Sequence, residues 1–210
     1  MDDEKTINFS NTARYFEIAN KAYNNAERFV VSRNRELRNK QVDHKKLINF
    51  SSSVHNESII TVVFCTMTLE AFINEYGILA CSRSFFQNHL DSLNLISKFI
   101  LLPKLNNRPE LETDRQEFQD LKWLINLRND LTHFKIKEKS VQEIDMTNPI
   151  NQRDFITEEH ARKSISTVKN VISILDNEKL KILETFVTFE ESNKKHITHK
   201  FSRSKERTTD

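Results

Sequence analysis

A chain of 210 residues is long enough to bury a core without disulfides or a structural metal, and it fits one domain or one domain with a tail. A single glycine and three prolines leave almost none of the turn chemistry that a sheet-rich protein needs, and one glycine cannot build a P-loop or a Rossmann phosphate-binding turn. Lysine and arginine total 32 against 30 aspartate and glutamate, a formal charge of +2, so any basic surface has to be local.

In chain order, Phe9, Ala13, Phe16, Ala19, Tyr23, Ala26 and Val30 recur at intervals of three and four and predict an amphipathic helix from about Phe9 to Arg33. A polar, basic stretch, Arg33 to Lys46, follows. A second helix is expected from about Ser52 to Ala80, apolar nearly all round and therefore central. His55, Glu57, Glu70, Asn74 and Glu75 interrupt it, which argues for a core helix over a membrane span. Asp91 is placed to cap a third helix, Ser92 to about Leu102, with Pro103 and Pro109 ending it.

Thr113 with Gln116 three residues on reads as a capping box opening a fourth helix that ends near His133. Residues 135 to 156 read as a loop. Thr157, followed by Glu158 and Glu159, caps a last helix expected to run to about Phe189. The pattern implies an all-α, up-and-down bundle of four or five helices over residues 1–190, with a basic and disordered tail over 191–210. Cys65 and Cys81 would lie about 24 Å apart along one helix, so they cannot pair within it and are expected to pack in the core. With no signal-like start and no long charge-free apolar run, the expected location is the cytoplasm, with no membrane association.

The segment Arg128 to His133 carries the chemistry. On a helical wheel Arg128 falls in the middle of the apolar stripe of the fourth helix, between Leu121, Leu124 and Leu131. An arginine there must be paired, or the stripe must face something other than core. Glu70 on the second helix is the obvious partner, and a plain buried ion pair is the competing reading of Arg128. Asn129 and His133 share an adjoining face.

Imidazole can take and return a proton near neutral pH, which serves attack by a ribose 2′-hydroxyl and departure of the 5′-oxygen. Guanidinium can stabilise the extra negative charge of a five-coordinate phosphorane, and such a scheme requires no metal and no cofactor. Asn129 could orient the phosphate or the histidine. For His133 the competing reading is a cation placed favourably at a helix C-terminus. Asp130 is expected to face solvent, Asn74 either bonds within the bundle or reaches the site, and His160, His196 and His199 are read as surface residues.

The run Arg128-Asn129-x-x-x-His133 resembles the Arg-x(4–6)-His motif of HEPN domains, including the polar residue after the arginine. Leu69-Glu70-Ala71-Phe72-Ile73-Asn74-Glu75-Tyr76 is similar to the HEPN helix that packs beside that motif. The resemblance implies a dimeric, metal-independent endoribonuclease acting on RNA in a toxin–antitoxin or antiphage system, with an antitoxin or a nucleotidyltransferase-like protein as partner. Some members of that family have lost catalysis and only bind partners or RNA, which is the alternative expectation. Residues five apart on a regular helix differ by about 140° in direction, so Arg128 and His133 cannot both address one phosphate from an unbroken helix. Either the helix frays at Thr132, or a two-fold dimer brings two copies of the segment into one cleft, which is the favoured expectation.

Overall fold

The computed structural model describes residues 11–105, 109–132, 156–181 and 183–184, and among them it is all-α, a helical bundle with no strand. Helix α1 spans Thr12–Leu37 and α2 spans His44–Cys81. A short α3, Arg83–Phe85, runs into a π-helical turn, Phe86–Leu90, before α4, Leu95–Leu105. Helices α5, Gln116–Thr132, and α6, Glu158–Leu175, complete the bundle. Helix α2 packs against every other helix, while α1 and α5 each also lean on α6. Ala19, Ala22 and Ala26 form a small-residue stripe on the buried side of α1, where short side chains let the two longest helices approach closely.

Both long helices exceed their expected limits. Helix α1 continues to Leu37, and α2 begins at His44 instead of Ser52, so most of the basic stretch is helical and only residues 38–43 connect the two. Asp43 starts α2 by accepting from the Lys46 amide at 3.1 Å, and Glu36 accepts from the Asp43 amide at 3.0 Å. At the usual rise per residue α1 and α2 are about 39 and 57 Å long, against about 26 Å for α5. The α1–α2 pair therefore projects beyond the bundle as a hairpin arm, where Val31, Leu37 and Ile48 are exposed. Apolar periodicity could not signal these turns, because nothing buries them.

Four further boundaries differ from expectation. Asn94, and not Asp91, caps α4, accepting from the Ser97 amide at 2.9 Å, while Asp91 reaches Lys98 instead. Pro103 lies inside the last turn of α4, where its missing N–H forfeits one helical bond without breaking the helix. The Thr113–Gln116 capping box does not form, since the Gln116 side chain donates forward to Asp120. Asp176 ends α6 in a non-helical conformation and caps a new helical turn through the Lys179 amide, so the last helix is not continuous toward Phe189. Phe9, residues 135–155 and the tail at 191–210 lie outside the described residues.

Among the described residues α2 is the one helix long and apolar enough to cross a membrane, and its apolar side chains Val62, Cys65, Leu69, Phe72 and Ile73 are buried by the other helices. Burial pushes the Cys65 thiol far above its ordinary pKa, consistent with packing and not with nucleophilic use.

Gly77 admits the ring of Phe86. A Cβ at this position would stand 2.5 Å from Phe86 Cε2 and 3.0 Å from Leu102 Cδ1. Since Phe86 is itself buried, Gly77→Ala forces the π-helical turn away from α2. The urea midpoint should fall by the equivalent of about 1–3 kcal/mol with the slope unchanged, and an unaltered midpoint would show that the turn yields freely.

Candidate functional site

Burial decays along α5. Phe118, Leu121, Leu124 and Ile125 are buried, whereas no residue from Asn126 to Thr132 is. Arg128 lies on the buried side by helical phase but on the turns where packing gives out, and its side chain is 26 % exposed. Leu127 and Leu131 flank it, packed against the core yet only half-buried. Water thus reaches one side of a guanidinium whose other side is apolar.

Glu70 of α2 is the carboxylate that faces it. Its Oε2 stands 3.8 Å from Arg128 Nη2, with the Glu70 side chain 49 % exposed. That separation is too long for a hydrogen bond, so Glu70 steers the guanidinium without consuming its donors. Asn129 is half-buried beside it, and its side chain makes no hydrogen bond among the described residues. Asp130 is exposed, as expected.

Thr132 remains helical, its hydroxyl donating to the carbonyls of Arg128 at 3.0 Å and Asn129 at 3.4 Å. Helix α5 is thus regular up to and including Thr132. His133, the second half of the motif, lies outside the described residues.

Asn74, one turn beyond Glu70, is not brought to Arg128. Its Oδ1 accepts from Lys98 Nζ at 2.9 Å, and Lys98 is itself 5 % exposed, with its ammonium 5.4 Å from the centre of the Phe86 ring. Glu75 takes Lys179 at 2.8 Å and the hydroxyl of Thr12 at 3.2 Å. The stretch Leu69 to Tyr76 thus sends Asn74 to α4, Glu75 to both α1 and the turn beyond α6, and Glu70 alone to the motif. Among the described residues no group of three or more His, Cys, Asp or Glu could hold a metal ion.

A second polar cluster escaped the sequence reading. His160 is not a plain surface residue: its ring stacks on Trp123 of α5, and its Nδ1 accepts from the Thr157 amide at 3.1 Å, closing a capping box. Lys163 lies over the other aromatic partner, 4.5 Å from the Trp123 ring centre, and reaches Asp120 at 2.9 Å. Ser, Thr, Glu and Gln are the usual signals of a capping box, so a histidine at that offset gave no cue.

Comparison with family models, curated proteins and solved structures gives no match. The reading of this site accordingly rests on its own residues.

Glu70→Gln should change stability by no more than about 1 kcal/mol, because both partners are substantially hydrated and held apart. Chemical denaturation that showed a loss of about 3 kcal/mol or more would identify the pair as a buried structural bridge instead.

His160 makes a pH-dependent prediction. Burial holds its imidazole below the ordinary value of 6.5, opposed by Glu159 and assisted by Lys163. The folded state therefore binds the proton less readily than the unfolded chain. Its contribution is fully present above the unfolded pKa and is lost as pH falls through that value toward the folded one. Between about pH 7 and about pH 5.5 the wild-type denaturation midpoint should drop more than that of His160→Gln, which keeps a capping-box side chain without the titration. Equal drops would remove His160 as the cause.

Proposed function

We propose that the chain is a metal-independent endoribonuclease of HEPN type, acting as a homodimer, in which Arg128 stabilises the phosphorane, His133 transfers the proton and Asn129 orients the phosphate. The observation that carries this reading is the state of Arg128: a guanidinium about a quarter exposed at the open end of α5, steered by Glu70 at 3.8 Å and left with donors to give. A guanidinium kept only for packing would be sealed by its carboxylate at hydrogen-bond distance.

The reaction moves one proton from the ribose 2′-hydroxyl as its oxygen attacks phosphorus, and returns one to the departing 5′-oxygen. The products are a 2′,3′-cyclic phosphate and a 5′-hydroxyl end. On a regular helix Arg128 and residue 133 would stand about 140° apart, which favours a site shared between two copies. The half-buried face of Leu127, Arg128 and Leu131 supplies a surface that a second copy would complete. The same reading places the protein in the cytoplasm as a toxin or antiphage effector, restrained by an antitoxin or a nucleotidyltransferase-like partner.

Incubation of the full chain with total RNA in EDTA should yield fragments with 5′-hydroxyl ends. Arg128→Ala and His133→Ala should each reduce the rate by about a hundredfold or more while folding normally, and Glu70→Gln should reduce it less. Cleavage that persists in both folded alanine variants would sink the assignment. RNA bound stably but left intact by the wild type would select the non-catalytic reading.

A further inference from the structure

The net charge of +2 conceals a polarised molecule. Residues 28–46, the arm formed by the end of α1 and the start of α2, hold seven Lys or Arg against two Asp or Glu, a local +5 that leaves −3 for the rest of the chain. Both carboxylates of the arm are engaged in shaping it. Glu36 accepts from the Asn39 side chain and the Asp43 amide, and Asp43 caps α2 and pairs with Lys46 at 3.6 Å. Among the described residues no carboxylate lies within ion-pair distance of Arg28, Arg35 or Arg38.

These three arginines are exposed; Arg28 and Arg35 lie on one face of α1, and Arg38 is its C-cap, still in right-handed helical conformation. At 100° per residue Arg28, Arg35 and Arg38 fall within about 80° of one another, and the stripe runs about 15 Å along the helix axis. Arg28 also lines an open cleft of about 770 Å³ between α1 and the start of α6. The acidic groups of that cleft are occupied, Glu27 by the Tyr23 hydroxyl and Glu158 by Arg162.

We propose that the α1–α2 arm is a docking surface for the phosphodiester backbone of RNA, with Arg28, Arg35 and Arg38 as its phosphate contacts. Guanidinium forks match phosphate oxygens, and a row of them without counter-charges carries the electrostatic footprint of a backbone-binding surface. An anionic membrane fits less well. Insertion into headgroups requires a continuous apolar face, whereas the buried face of α1 is spent on α2, and the exposed Val31 and Leu37 point about 120° apart. The identity of the polyanion as RNA rests on the ribonuclease reading; the docking surface itself does not use Arg128 or His133. Lys46 and Glu70 are separated by about 36 Å of α2, so the arm engages a strand well away from the cleavage site.

The test is binding of the full chain to a fluorescein-labelled 20-nucleotide 2′-O-methyl RNA, which has no free 2′-hydroxyl and cannot be cut. The triple variant Arg28→Gln, Arg35→Gln, Arg38→Gln should bind about tenfold or more weakly near 0.15 M salt and lower the slope of log affinity against log salt by up to about two. Replacing all three arginines by lysine should preserve most of that slope. A control triple of equal charge loss, Lys104→Gln, Arg115→Gln, Lys122→Gln, should alter binding by less than about twofold. Equal effects from the arm and control triples would overturn the proposal, as would arm-dependent binding to phosphatidylserine vesicles without binding to the RNA. Arm-dependent binding by a protein that cleaves no natural RNA would uphold the docking surface and refute only the ribonuclease reading.

Discussion

Enclosure of α2 by the other helices leaves its polar side chains two outcomes, a partner or a desolvation penalty of several kcal/mol. Asn74 and Glu75 find hydrogen-bonded partners, Lys98 of α4 for the one, Lys179 beyond the end of α6 and Thr12 of α1 for the other, while the half-exposed Glu70 faces Arg128 of α5. Apolar burial on α2 sets how tightly the bundle packs, but apolar contact is not directional. The contacts of Asn74 and Glu75 are directional and orient α2 against the helices around it, whereas the 3.8 Å pair at Glu70 constrains little.

The most buried of the three contacts has the longest reach. Lys98 is drawn in by Asn74 and Asp91 and lies over Phe86, whose ring occupies the hollow that Gly77 leaves on α2. The one glycine in the chain therefore permits the π-helical turn to close, and that turn sets where α4 returns. The contact at Glu70 is the loosest, and it is also the one turned toward the motif. A guanidinium locked at hydrogen-bond distance would have little left to offer a substrate oxygen.

The sequence was legible wherever structure depended on local pattern. Thr157 capped α6 as expected, and Glu70, the partner the wheel suggested for Arg128, does face it at 3.8 Å. It failed where the deciding contact was distant or where burial ended. The first turns of α2 are helical through the Asp43 cap and the Glu36 brace, not through an apolar stripe, so the period that marks a buried helix was absent. Asp91 was a sound N-cap candidate until Lys98, seven residues on, claimed it. Nothing near His160 in sequence indicates that Trp123 will stack on it. Arg128 belongs to both classes: pattern predicted its need for a partner, while only the falling burial along α5 explains why the partner stays at 3.8 Å.

Electrostatics then separates two tasks. Near Arg128 the positive charge is offset by Glu70, and Asp130 is exposed about half a turn along the same helix, so this end of α5 exerts little long-range pull on a polyanion. An Arg-centred site with that balance favours charge that develops close to it, as in a phosphorane, over charge that merely approaches. On the proposed ribonuclease reading, the field that gathers RNA arises elsewhere on the molecule. The arm has it, because its only carboxylates are tied into the turn and the arginine stripe keeps its charge free. On these two proposals, capture by the arm and charge stabilisation at α5 rest on different residues, so each can be tuned without disturbing the other.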